Sequence, residues 1–181
     1  EKINMDYSKT YIIRTNFENP NLYKYLEELP KQENYNPNVD ALITKNKDIS
    51  LALLTADCMP LTLYDPIEKV IALVHCGWSW VDAGIIDRTI SFMHKELNSN
   101  PQNILVNMGP TLAKEHYNWD ENIFKKIKKD SYVYKSIYLD ENDKSDKPYR
   151  IDVKASVLNN LLSMGIERKN ILDNAVDTYT S

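Results

Sequence analysis

The sequence predicts an α+β fold: a mixed β-sheet core sandwiched by helices. Three observations carry that reading. Four early runs rich in Ile, Leu and Val follow one another with only turn residues between them, and helical periodicity then begins and alternates with further strands. The only four glycines, Gly77, Gly84, Gly109 and Gly165, show neither Walker nor Rossmann spacing, which argues against a doubly wound nucleotide fold. At 181 residues, 43% hydrophobic and 27% charged, the chain fits one domain over 1–181, with 1–38 as a divergent N-terminal segment.

Residues 1–38 are rich in Asn, Tyr, Glu and Pro, and Asn21 to Leu29 is readable as a short helix stopped by Pro30. Val39 to Thr44, Ile49 to Thr55, Leu61 to Tyr64 and Val70 to His75 read as buried strands. After Gly77, apolar residues at Ile85, Ile86, Ile90, Met93 and Leu97 predict a helix over Asp82 to Leu97. Asn103 to Met108 reads as a strand, and Asp120 as the cap of a helix over Glu121 to Lys128. Tyr132 to Leu139 alternates like a strand, and the charged stretch Asp140 to Lys147 is a surface loop. Asp152 caps a helix that reaches Met164 and stops at Gly165, and Ile171 to Tyr179 reads as a last strand.

Net charge is −4, and the densest basic group, Lys125, Lys126, Lys128 and Lys129, reads as the solvated face of a helix. Nucleic acid is therefore not an expected partner. The apolar runs are too short to span a bilayer, and Glu1 to Tyr11 lacks the apolar segment of a signal peptide. Two cysteines, Cys58 and Cys76, are too few for a disulfide scaffold and point to reduced thiols in a cytoplasmic protein.

Chemistry concentrates at strand ends. Thr55-Ala56-Asp57-Cys58-Met59-Pro60 sets a thiol and a carboxylate at the end of one strand, and Val74-His75-Cys76-Gly77-Trp78 sets an imidazole at the end of another. Alternation puts His75 and Cys76 on opposite faces, and His75 is the better partner for Cys58. Such a pair makes either an activated nucleophile or two ligands of a zinc ion. On spacing alone, a small buried thiol and a satisfied core histidine explain the same residues.

The motifs Asp40-Ala41-Leu42-Ile43-Thr44, Thr55-Ala56-Asp57-Cys58-Met59-Pro60, Tyr64-Asp65-Pro66, His75-Cys76-Gly77-Trp78 and Ala83-Gly84-Ile85 occur in that order. Gly109-Pro110, Tyr117, Arg150-Ile151-Asp152-Val153, Asn159 and Gly165-Ile166 follow. Together they resemble the multicopper polyphenol oxidoreductase (laccase-type) family, understood as zinc-containing purine nucleoside phosphorylases, over roughly residues 39–178. The resemblance implies a laccase-domain architecture related to Cys–His toxin deamidases. It implies small-molecule partners, a purine nucleoside and phosphate, with adenosine deamination as a second reaction. It also implies zinc held by one Cys and two His, with Cys58 and His75 as two of those ligands. Asp57 is then a nearby carboxylate that handles a proton or a ribose hydroxyl, and Trp78 and His116 are substrate contacts.

The sequence departs from the family at two points. Residues 1–39 contain no His to serve as the third zinc ligand, leaving only His94, read as a helix-surface residue, and His116. Ser79 stands where the family carries an Arg after its Trp. The departures favour two further readings: a catalytically degenerate binding or assembly subunit, and a metal-free Cys–His hydrolase. A partner subunit that completes the site is a further expectation. Oxidation of phenols is discounted, because one Cys and one His cannot build several copper centres.

Overall fold

The computed structural model describes residues 7–13, 23–29, 39–174 and 176–180. In chain order the strands and helices are β1 (Thr10–Ile13), β2 (Lys24–Leu26), β3 (Ala41–Thr44), β4 (Ser50–Leu53), β5 (Met59–Asp65), β6 (Val70–Cys76), α1 (Trp78–Asp82) and α2 (Ile85–Leu97). These are followed by β7 (Leu105–Met108), β8 (Asn118–Trp119), α3 (Glu121–Phe124), β9 (Ile137–Leu139), β10 (Tyr149–Ile151), α4 (Val153–Ser163) and β11 (Ile171–Asp173). Among the described residues the central sheet has six strands in the order β11-β7-β5-β6-β3-β2. Pairing is antiparallel between β7, β5, β6 and β3, and parallel at both edges, which makes the sheet mixed.

Alternation decides what each face of that sheet covers. Along β5, Met59, Leu61 and Leu63 are buried on one face, with Thr62 and Tyr64 exposed on the other. The buried face joins Ala72, Val74 and Cys76 of β6 in the main core, which α1, α2 and α4 complete. Ile86, Ile90 and Met93 lie along one face of α2 and are fully buried, each stabilising the fold by about 1.5–3 kcal/mol. A smaller cluster forms on the opposite face, where Leu42 and Leu73 meet Tyr11, Ile13 and Ile49. Strands β1 and β4 pair parallel to each other as a separate two-stranded sheet. The run Ile49 to Thr55 is therefore only partly buried, and its strand ends at Leu53.

Several elements differ from expectation for local reasons. Within Asn21 to Leu29, the described part holds strand β2 rather than a helix. Parallel pairing with β3 and packing of Tyr23 and Tyr25 on Phe92 outweigh helical periodicity there. The helix expected over Asp82 to Leu97 breaks at Gly84, whose φ of 83° is left-handed, and α2 starts after it. The helix from Glu121 stops at Phe124 and continues only as turns. In Tyr132 to Leu139 the strand is confined to β9. Ser131 Oγ accepts from the Tyr134 N–H and Ser136 Oγ donates to the Tyr132 carbonyl, folding the first half into a turn. The last strand shortens to β11, beyond which Asp177 makes a single bridge to Thr111. Asp152 caps α4 as expected, accepting from the Ala155 N–H at 2.8 Å.

Candidate active site

Cys58 lies in the bend that enters β5, and His75 is the penultimate residue of β6. Antiparallel pairing of Met59 with Cys76 and Pro60 with His75 brings the two strand ends side by side. A Cβ added to Gly77 would sit 3.2 Å from Cys58 Sγ and 3.9 Å from His75 Cε1, so Gly77 lets the chain turn tightly over both. The Cys58 thiol thus lies beside the imidazole, close enough to bear on its electrostatics. Cys76 points the other way into the core, where burial pushes its thiol far up.

The carboxylate in contact with this imidazole is Asp40, the residue before β3. His75 Nδ1 lies 2.8 Å from Asp40 Oδ1, and the two side chains are 6% and 1% exposed. The pairing of Ala41 with Val74 sets the two residues opposite each other, and the His75 N–H also donates to the Asp40 carbonyl at 2.8 Å. Burial pulls the His75 pKa down, but the hydrogen bond to Asp40 and the nearby Cys58 side chain outweigh it and raise the value to about 9. With Nδ1 committed to Asp40, Nε2 is the nitrogen left to exchange a proton.

Asp57 adjoins Cys58 but its polar groups are turned elsewhere. Its carbonyl accepts from the Leu112 N–H and Thr111 Oγ1, and its Oδ1 accepts from Thr178 Oγ1 at 2.9 Å. Trp78 is half-buried, its ring meeting Trp119 edge-on at 5.8 Å. Tyr117 is buried close by. Its phenol is pushed up by burial, then by Cys58 and Asp57, against a hydrogen bond with the Trp78 backbone. His116 pairs with Asp177 (Nδ1 to Oδ2, 2.9 Å) and stacks on Tyr179 at 4.2 Å. His94 is exposed and bonds the Ser99 carbonyl.

The structure thus brings Cys58 and His75 together, sets Asp57 beside them in a bracing role, and gives His116 other partners. Sequence reasoning missed Asp40 as a side chain with its own function, although it heads a quoted motif. The zinc that the resemblance implies does not fit the described residues. Cys58 and His75 are two donors where catalytic zinc sites use three. Among the described residues no group of three His, Cys, Asp or Glu side chains is arranged to hold a metal.

A thiol, an imidazole and a buried carboxylate at adjoining strand ends of a mixed, helix-backed sheet define the class of protein: an α+β domain with Cys58, His75 and Asp40 grouped at the ends of its central strands. Residues 16–181 match the family described as multi-copper polyphenol oxidoreductase laccase, and the chain belongs to that family. A purine nucleoside phosphorylase of Bacteroides thetaiotaomicron is 26% identical over 141 residues, 78% of this chain and 52% of the relative. One from Clostridium acetobutylicum is 31% identical over 128 residues, 70% of this chain and 54% of the relative. The chain therefore spans about half the length of these curated relatives. Among solved structures, the hypothetical protein YfiH of Bacillus licheniformis superposes with a TM-score of 0.76 at 20% identity, over 97% of this chain and 66% of that one. YlmD of Geobacillus stearothermophilus gives 0.73 at 20% identity, over 95% and 64%. Among the described residues no helix is long and apolar enough to cross a membrane.

Proposed function

We propose that this chain carries a purine nucleoside phosphorylase site, with His75 as its proton donor. The observation that supports the reading is the buried His75–Asp40 pair, which keeps the imidazole protonated near neutral pH beside the reactive strand ends. In phosphorolysis a phosphate oxygen attacks the ribose anomeric carbon and the bond to the purine nitrogen breaks. The base leaves with the bonding electrons and takes a proton. His75 supplies that proton from Nε2, Asp40 holds the ring, and Cys58 lies beside it. Trp78 and Tyr117 border the purine, and Asp57 braces the Cys58 bend. Adenosine deamination would instead require an activated water at C6, and a zinc ion there would need a donor beyond Cys58 and His75.

The test incubates adenosine, inosine or guanosine with phosphate and reads free base, ribose 1-phosphate and inosine. Phosphate-dependent release of base that falls by roughly 10²–10⁴-fold in His75→Ala supports the proposal. No phosphate-dependent turnover, or full activity in His75→Ala, overturns it and favours a binding or assembly role.

A further inference from the structure

A cleft of about 250 Å³ opens between the turn that joins α1 to α2, the inner side of α4 and the loop 128–132. None of the residues that line it is one of those grouped around His75. Three carboxylates border the cleft, those of Asp82, Asp87 and Asp130, against one lysine, Lys128. That lysine brings its backbone N–H to the cleft: the amide donates to Asp82 Oδ1 at 3.1 Å and to Oδ2 at 3.4 Å. Among the described residues no side-chain cation forms an ion pair with Asp82, Asp87 or Asp130. Gathered carboxylates alone mark only a solvated surface.

The floor of the cleft adds an independent observation. Asn160 is 1% exposed and lies on the side of α4 that also buries Ser156, Val157 and Leu161. Its Nδ2 donates to Asp87 Oδ2 at 2.9 Å, and this fixes the amide's orientation, because the flipped group would set two acceptors against each other. Oδ1 is then buried with no partner among the described residues. A buried acceptor without a donor is costly, and a tie between α2 and α4 accounts for Nδ2 alone.

We propose that this cleft binds a small primary amine, and a short diamine best, with one ammonium group seated between Asp87 and Asn160 Oδ1 and the other held by Asp82 and Asp130. An –NH₃⁺ group has three donors and no acceptor, which complements a carboxylate beside an orphaned amide oxygen. Other ligand classes match less well. Asp87 stands in the first turn of α2 and already answers the positive end of that helix, so an anion has no place there. Among the described residues no group of three His, Cys, Asp or Glu side chains is arranged to hold a metal ion. A quaternary ammonium has no N–H for Oδ1, and it is too broad to reach an atom closed to bulk water. The slim head of a primary amine meets both demands.

The probe is 1,4-diaminobutane titrated into the whole chain at low ionic strength, followed by calorimetry and by the NMR signal of the Asn160 side-chain amide. One saturable site is expected, with that amide signal shifted at saturation. Asp87→Asn is expected to weaken binding by about tenfold or more, since it keeps the shape and removes the charge that the ammonium meets. Glu141→Gln changes net charge by the same amount on an exposed loop elsewhere, and is expected to leave affinity within about twofold. Tetramethylammonium is expected not to displace the diamine. No saturable binding, equal affinity for tetramethylammonium or magnesium ion, an unmoved Asn160 amide, or equal losses in Asp87→Asn and Glu141→Gln each overturns the inference. If Asp87→Asn does not fold, the wild-type comparison of the two organic cations and the Asn160 signal decide the matter.

Discussion

Among the described residues stand two carboxylate–imidazole pairs of nearly equal length, His75–Asp40 at 2.8 Å and His116–Asp177 at 2.9 Å, and they serve different ends. In the first pair both side chains are sealed, and the carboxylate's chief partner is the imidazole. In the second the histidine is 33% exposed and the carboxylate serves many donors. Asp177 accepts from the Ala113 and Tyr179 N–H groups and from Thr180 Oγ1 as well as from His116. The Ala113 N–H is the main reason its carboxyl lies below the usual range, against the opposing effect of burial. Its neighbour Thr178 reaches Asp57. The second pair is thus a clamp that ties the C-terminal segment to the loop bracing the Cys58 bend. An imidazole–carboxylate contact by itself does not mark a catalytic pair. Burial, and the many donors gathered on Asp177, separate the pair that orients a ring from the one that anchors a loop.

The sharpest way to break this comparison is to neutralise each carboxylate in turn. Asp40→Asn keeps the shape but removes the charge that orients His75, and turnover is expected to fall by roughly 10²–10⁴-fold. Asp177→Asn is expected to lower the melting temperature while leaving turnover per folded molecule within about threefold, since it touches His75 only through the loops. Steady-state kinetics on variants matched by circular dichroism would decide. Equal losses in the two variants would dissolve the distinction.

Titration sharpens it further, because the two pairs weaken at opposite ends of the pH scale. His75 has a folded pKa of about 9, above its unfolded value of about 6.5. Its stabilising contribution is therefore full below about 6.5 and is lost as pH rises through 9. Asp177 has a folded pKa below its ordinary value, so its contribution is present above about 3.9 and is lost as pH falls below that. Melting temperatures of wild type, His75→Gln and Asp177→Asn across pH 3 to 10 should converge at the alkaline end for the first variant and at the acid end for the second. Convergence at the wrong end would reverse the assignment.

Much of the fold was legible because its signals are local. The strands β3, β5 and β6, the buried stripe of α2 and the Asp152 cap depend on periodicity and on a residue's near neighbours. Strand β2 escaped because Tyr23 and Tyr25 find their partner on α2, and β4 was expected as a strand but as a more deeply buried one, because its pairing with β1 lies outside the main sheet. The site divides in the same way. Cys58 and His75 stand out as reactive residues at strand ends, but the partnership of Asp40 with His75 follows from the register of β3 against β6, and no single-sequence pattern states a register. The resemblance implies a role for Asp57 in handling a proton or a ribose hydroxyl, and its Oδ1 accepts from Thr178 Oγ1, 121 residues further along, a contact no local pattern states.

The clamp side can also be strained directly. Gly109 donates its N–H to the Pro60 carbonyl, and a Cβ there would lie 2.7 Å from Pro60 Cγ and 3.0 Å from that carbonyl oxygen. Neither atom belongs to a flexible side chain, so Gly109→Ala must push β7 away from the start of β5. A loss of about 1–3 kcal/mol is expected in denaturant unfolding. Because Pro60 is two residues from Cys58, turnover should fall along with stability, unlike the Asp177→Asn result.

The smallest expected effect belongs to a carboxylate that borders the same cleft as Asp177 but bonds a helix end. Asp152 Oδ1 caps α4 through the Ala155 N–H. Asp152→Ala should lower stability by about 1 kcal/mol, the usual loss for an N-cap side chain, and leave turnover unchanged. The three carboxylates then form a graded series. One acts on an imidazole, one on loops that brace the Cys58 bend, and one on a helix end alone. If Asp152→Ala reduced turnover as much as Asp177→Asn, the losses would reflect general loosening of the domain, and the clamp would have no particular link to the site. If only stability moved, any loss in Asp177→Asn could be traced through Thr178 and Asp57 to the bend that carries Cys58.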